Sequence, residues 1–187
     1  MESPNQVREA HFEDMPVIAE FLRSSASWYE PFLSEEDMSE HNVDEKWMKE
    51  NWLKRDFFII EEKKKPVGTV SLQVFGEIAY IGYCYVDASQ CGKGYGRQLL
   101  AFAAQEALSR GARQMVLISH PKAKWAVKAY LRFGFRLLCK SRDEILNFHE
   151  GFLKDYYEEG FELYGYDLRP LADILHYHSQ AQSELPS

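Results

Sequence analysis

Three β-rich runs follow one another between residues 56 and 86: "DFFIIEE", "VGTVSLQVF" and "IAYIGYCYV". The tetrapeptide "KKKP" makes a turn between the first two, and "GE" closes a hairpin between the last two. A doubly wound parallel sheet alternates strand and helix throughout, so three strands in succession exclude it. The fold class that remains is α/β of the mixed kind, a central mixed sheet with helices on both faces.

The flanking segments supply those helices. "QVREAH" reads as a first strand, and "EDMPVIAEFLRSSASWY" as a helix with Ile18, Phe21 and Leu22 at helical spacing. Pro16 suits its first turn, and Glu13 or Asp14 is placed to cap it. "SEEDMSEHNVDEKWMKENWLKR" is acidic and then amphipathic, with Val43, Trp47 and Leu53 expected to face a core. "GYGRQLLAFAAQEALSRG" is a long helix with Leu99, Leu100, Ala103 and Ala107 on one face and Gly111 at its end. "RQMVLIS" is a buried strand, "AKWAVKAYLRFG" a shorter helix ended by Gly134, and "FRLLCKS" a strand. "RDEILNFHEGFLKDYYEEG" is helical in part, with Leu146, Phe148, Phe152 and Tyr156 on its apolar side, and "FELYGYDL" alternates as a final strand. "RPLADILHYHSQAQSELPS" reads as a short helix and a polar tail whose last ten or so residues are expected to be disordered. No linker divides the chain, so the expected organisation is one domain over residues 1–170 and a C-terminal helix and tail over 171–187.

A net charge of -7 argues against non-specific nucleic-acid binding and is compatible with a cationic substrate. Cys84, Cys91 and Cys139 are odd in number and lack ligand spacing, so they read as free thiols of a reducing compartment. The N-terminus is polar and no apolar run approaches spanning length. A cytoplasmic protein with no membrane contact is the expectation. His176 and His178 are too weak a pair to indicate a metal, and none is predicted.

The stretch "QCGKGYGRQLL", residues 90–100, concentrates glycine where a strand passes into a helix. Glycines at 92, 94 and 96 let a backbone come close to a ligand, and the helix start adds unpaired amides and partial positive charge. Such a loop suits a phosphate or pyrophosphate, with Lys93 and Arg97 adding charge at its rim. It is not a P-loop, for no Lys-Ser or Lys-Thr pair follows, and GxGxxG fails because Arg97 stands in the third glycine place. Cys91 sits where a thiol can become acidic, but no catalytic role is assigned to it.

"YVDASQCGKGYGRQLL" resembles the acyl-CoA-binding motif of the GNAT acetyltransferase superfamily, a strand ending in Val followed by R/Q-x-x-G-x-G/A opening a helix. Gly94 and Gly96 take the last two glycine places and Gly92 a frequent third, while Cys91 stands in the R/Q place. "AVKAYLRFGF" is similar to the family's A-x-x-x-Y-x-x-x-G-F run, with Ala126, Tyr130, Gly134 and Phe135 in register and Ala123 where an Asn is common. The element order also resembles the GNAT fold from about residue 6 to residue 168. The resemblance implies that the strand ending at Val86 splays from the next parallel strand, Gln114 to Ser119, and that acetyl-CoA fills the gap as co-substrate. Its pantetheine arm would lie along Tyr85 and Val86. Its pyrophosphate would rest on Cys91, Gly92, Lys93, Gly94, Tyr95, Gly96 and Arg97. A backbone amide near Val86 would polarise the thioester carbonyl. Tyr130 would protonate the departing thiolate.

The general base is left among Glu77, Tyr83 and His120. Strand parity does not choose between them, because the family's central strand usually carries a bulge. The resemblance places the acceptor beside "SSASWYEPFLSEEDMSEHNVDEKW", where Trp28, Tyr29 and Phe32 offer an apolar wall, while Glu35, Glu36 and Asp37 read first as a solvated acidic face and otherwise as residues that draw a cation. Tyr156 and Tyr157 match a tyrosine pair that borders the acceptor in enzymes acting on peptide N-termini or ribosomal proteins. The expected acceptor is a peptide or protein amine, or else a small cationic amine. A homodimer is compatible with the family's habits. The competing readings are a non-catalytic acyl-CoA-binding or regulatory module on the same fold, and a nucleotide-binding domain.

Overall fold

The computed structural model of the chain describes residues 6–39 and 42–183. Seven strands form one sheet: β1 (Gln6–Glu9), β2 (Asp56–Glu62), β3 (Lys65–Phe75), β4 (Ile78–Val86), β5 (Gln114–Ser119), β6 (Arg136–Cys139) and β7 (Glu162–Asp167). Their spatial order is β1-β2-β3-β4-β5-β7-β6. Only β4 and β5 pair in parallel, so the sheet is mixed and its one parallel step sits at the centre. The helices are α1 (Met15–Tyr29), α2 (Glu35–Ser39), α3 (Glu45–Lys54), α4 (Tyr95–Ser109), α5 (Lys124–Phe133), α6 (Arg142–Asn147) and α7 (Arg169–Ser183).

The run Phe57–Ile60 is apolar without alternation because both faces of β2 are covered. Phe58 and Ile60 join Leu99, Leu100 and Ala103 of α4, while Phe57 and Ile59 join Ile18 and Leu22 of α1 and Trp47 of α3. Further along that second face, Ile78 and Tyr80 of β4 pack with Ile145 of α6 and with Leu153. The α4 crossover therefore covers one side of the central parallel pair, and α1, α3 and the α6 segment cover the other.

Three local expectations give way. Leu53 is 85% exposed, and Asn51 takes the buried position on α3, its Nδ2 donating to the Trp47 carbonyl at 3.0 Å. Asp14 does not cap α1; its carboxylate accepts from the His11 amide at 2.8 Å and from Arg8 Nη1 at 2.7 Å. The C-terminal helix is not short, since it reaches Ser183. Of the last ten or so residues expected to be disordered, residues 178–183 continue this helix, and residues 184–187, like the side chain of His178, lie outside the described residues.

Candidate active site

The β4–β5 pairing stops early. Ile78, Ala79 and Tyr80 pair with Gln114, Met115 and Val116, and beyond Tyr80 the two strands separate. Facing β3, Ser71 pairs with Gly82 and Thr69 with Tyr85, so Val70 alone opposes Tyr83 and Cys84. That is a β-bulge, and Tyr83 carries its cost with φ 45°. The bulge resets the side-chain alternation. Ala79 and Ile81 face α4, yet after it Cys84 and Val86 take that side, and Tyr85 turns to the α1 side with Tyr83. The Asp87 amide donates to the Val67 carbonyl of β3 at 2.8 Å. Backbone direction alternates along a strand, so the Val86 amide points the other way, into the gap left by β5.

On the α4 side of the gap lies a cleft of about 520 Å³ whose floor includes Tyr85, Val86, Cys91 and Tyr130. The loop from β4 supplies its rim. Gly92 and Gly94 have φ of 83° and 85°, a left-handed conformation that explains glycine there without any ligand. Gly96 is different. It has an ordinary helical backbone in the first turn of α4, and an added Cβ would meet nothing nearer than Val86 Cγ2 at 3.9 Å. Nothing in the fold forbids a side chain at Gly96, so its absence leaves the helix start bare toward the cleft. The first α4 amide with a partner inside the helix is that of Gln98, bonded to the Gly94 carbonyl at 3.2 Å. The amides before it have no carbonyl of their own helix to bond and are donors for an anion.

On the α1 side lies a second cavity of about 720 Å³, lined in part by Glu36, Asp37, Glu50, Asp155, Glu158 and Glu159. The two cavities share Tyr29, Cys84, Tyr85 and Tyr130. They meet where β4 leaves β5. Burial holds the protons at this junction: it pushes the Cys84 thiol and the Tyr29 phenol up to about 12, and the Tyr85 and Tyr130 phenols well above the ordinary tyrosine value. Tyr29 and Tyr85 are hydrogen-bonded to each other, and the Glu158 carboxylate lies close enough to raise both further. Trp125 of α5 lines the smaller cleft and packs on the end of α1 and the residues after it, with ring centroids 5.7 Å from Trp28, 5.4 Å from Tyr29 and 6.2 Å from Phe32.

Residues 20–135, more than half of the chain, fit the acetyltransferase (GNAT) family. The chain belongs to that family. No curated protein matches the chain in sequence. Among solved structures, the acetyltransferase resembles the PaiA N-acetyltransferase of Thermoplasma acidophilum, solved with coenzyme A, at TM-score 0.70 and 18% identity, over 88% of this chain and 99% of that one. The ribosomal-protein-S18-alanine N-acetyltransferase of Escherichia coli gives TM-score 0.61 at 18% identity, over 88% of this chain and 94% of that one. The N-acetylglutamate synthase of Neisseria gonorrhoeae, solved with coenzyme A and L-arginine, gives TM-score 0.59 at 22% identity, over 87% of this chain and 33% of that one. At these identities the likeness shows a shared fold.

Of the residues expected at the cofactor, Tyr85, Val86, Cys91, Gly92, Gly94, Tyr95, Gly96 and Arg97 line the smaller cleft of the acetyltransferase. Lys93 does not: its Nζ donates to Gln90 Oε1 at 2.6 Å and lies 4.0 Å from Glu62. Burial, followed by Asp87, raises the Cys91 thiol above its ordinary value. Of the catalytic candidates, Tyr130 is at the junction, and Tyr83 and His120 line the larger cavity. Glu77 is not brought there. It sits in the β3–β4 turn, at the paired end of the strand, with its side chain 66% exposed and 3.0 Å from Arg113 Nε. Of the expected wall, Tyr29 lines both cavities and Trp28 only the smaller one, while Phe32 lines neither and packs on Tyr29, His120 and Trp125; Glu36, Asp37, Tyr156 and Tyr157 line the larger cavity, and Glu35 does not. Sequence reasoning passed over Arg55 and Glu158. A guanidinium at the end of "WLKR" reads as a solvated helix terminus, and Glu158 hides in the polar turn "YYEEG". The one usable signal was Gly82, an isolated glycine inside a strand pattern, which marks a close approach.

Proposed function

We propose that the protein transfers the acetyl group of acetyl-CoA to a primary amine by direct attack across the β4–β5 gap. The observation that carries this reading is the meeting of two cavities at Cys84, Tyr85 and Tyr130. A thioester lying along Val86 in one is reached by an amine in the other. The bare turn at Gly94–Arg97 suits the pyrophosphate of coenzyme A, which supplies the activated acetyl group when bound. The Val86 amide, aimed into the gap, is available to the carbonyl oxygen as negative charge develops there. As the amine nitrogen bonds to the carbonyl carbon, the C–S bond breaks, the thiolate takes the Tyr130 proton, and the proton shed by the new amide nitrogen restores the phenol. Burial keeps the Tyr130 phenol protonated, so the proton is in place when the thiolate forms beside it.

The ammonium must first lose a proton. Glu158 is the better placed base: it lines the larger cavity, and its charge helps raise the Tyr29 and Tyr85 phenols at the junction. His120 is less suited. Its Nδ1 lone pair accepts the Lys122 amide at 3.1 Å, its ring stacks on Phe32 at 4.7 Å, and burial followed by Lys122 lowers its pKa. The acidic lining favours a cationic amine, small or at the end of a peptide.

The test is thiol release from acetyl-CoA across an amine panel. Tyr130→Phe is expected to keep coenzyme A affinity while turnover falls about 100-fold. Unchanged turnover rejects Tyr130 as the acid. Coenzyme A binding without any amine-dependent thiol release favours a non-catalytic module instead.

A further inference from the structure

The larger cavity contains a buried cation that the acetyl-transfer chemistry does not use. Arg55 is only 9% exposed. Its Nη1 makes a long bond of 3.5 Å to Ser71 Oγ, and its buried Nε has no hydrogen-bond partner. No carboxylate among the described residues forms an ion pair with it. Its guanidinium lies 4.6 Å from the centre of the Tyr83 ring and 5.5 Å from that of Tyr156. Such faces offset part of the cost of desolvating the cation but leave the Nε donor unmet and Nη1 with only the long bond to Ser71.

The surroundings are built to hold it there. The Tyr156 hydroxyl accepts from Gln73 Nε2 at 2.8 Å, and the Tyr83 hydroxyl accepts from Trp47 Nε1 at 3.3 Å, so both rings are anchored. A Cβ at Gly82 would stand 2.6 Å from Arg55 Nη1, so the glycine makes room for the guanidinium against β4. A guanidinium fork in a cavity matches a carboxylate or a phosphate, and beside a lining that includes Glu36, Asp37, Glu50 and Glu158 the singly charged carboxylate is opposed less.

We propose that Arg55 binds a carboxylate of the acceptor, and that the acceptor is therefore a small amine that also carries a carboxylate, an amino acid rather than a polyamine. The inference rests on the acetyl-transfer reading of the same cavity. It divides the cavity by charge: the ammonium end lies toward Glu158 and the Tyr29–Tyr85 pair, and the carboxylate end lies toward Arg55, three strand residues back at Gly82.

The experiment measures equilibrium binding and acetyl transfer for matched probes: the common L-amino acids and 5-aminopentanoate, each beside its carboxamide. In the wild-type protein at least one acid is expected to bind about 10- to 100-fold tighter than its amide. Arg55→Met should erase that preference, and Arg55→Lys should restore part of it. Coenzyme A affinity, read by thermal shift, reports that the variants are folded. If no acid outbinds its amide, or if the preference survives in Arg55→Met, the proposal is overturned. The acetyl-transfer reading fails separately, when no amine of any charge releases thiol.

Discussion

Replacing Gly96 by alanine separates what the fold requires from what a ligand requires. At Gly92 and Gly94 the positive φ makes any side chain strained, so alanine there costs about 1–2 kcal/mol and tells nothing about binding. At Gly96 the backbone is helical and the nearest atom to a new Cβ is 3.9 Å away, an ordinary van der Waals contact. Alanine is a better helix former than glycine by up to about 1 kcal/mol and restricts the unfolded chain. In the first turn about half of that is expected. A gain of about 0.5 kcal/mol raises Tm by about 1–2 °C for a chain of this size. The same methyl group projects toward the donors at the start of α4, where it keeps a phosphate oxygen from reaching hydrogen-bond distance. Losing one or two charge-assisted hydrogen bonds weakens coenzyme A by about 10- to 100-fold. Differential scanning fluorimetry with and without coenzyme A reads both effects in one plate. The unliganded variant should melt slightly above wild type, and its rise on adding coenzyme A should be far smaller. A variant that keeps the full ligand-induced rise would falsify the view that Gly96 is kept bare for a phosphate.

Glu158→Gln is expected to lower amine-dependent turnover at neutral pH and to recover toward wild type as pH approaches the acceptor amine's own pKa, where free amine no longer needs a base; a uniform loss at every pH argues for a merely structural role. Asp14 is held below the usual carboxylate range by Arg8 and the His11 amide, so its contribution to stability is complete above about pH 4 and drains as pH falls through the lower folded value. Asp14→Asn should therefore be less stable than wild type at pH 7 in urea denaturation, with the gap narrowing in acid. On α3, Leu53→Lys should change stability by less than about 0.5 kcal/mol, whereas Trp47→Ala should cost about 3–5 kcal/mol, and equal effects in the same urea titration would contradict the orientation of that helix.

The contrast between Leu53 and Trp47 shows where reading from sequence stops. Helical spacing identified α3 and placed Val43 and Trp47 inward, but spacing alone admits two phases at a helix end, and the chain turns into β2 with Leu53 outward and Asn51 inward. The strands and the long α4 were legible because their burial is dictated by period and by runs of apolar residues. The glycines of the loop were legible because glycine is costly wherever it is not needed. The acceptor side was less so, because its residues come from separate parts of the chain and are brought together by one irregularity. The bulge at Tyr83 shifts every later side chain of β4 by one place. Without it, Tyr85 would face α4 with Ala79 and Ile81; with it, Tyr85 meets Tyr29 on the opposite face. A tyrosine at φ 45° is unfavourable by about 1–3 kcal/mol, and no alternation of apolar and polar residues encodes it. The same irregularity brings Gly82 and Tyr83 side by side on the cavity face, one opening space for the Arg55 guanidinium and the other covering it. The bulge therefore acts on both ends of the acceptor at once. It turns a strand that would have buried its tyrosines against α4 into one that lines a cavity, and the gap it helps open beside β5 is where that cavity meets the coenzyme A cleft.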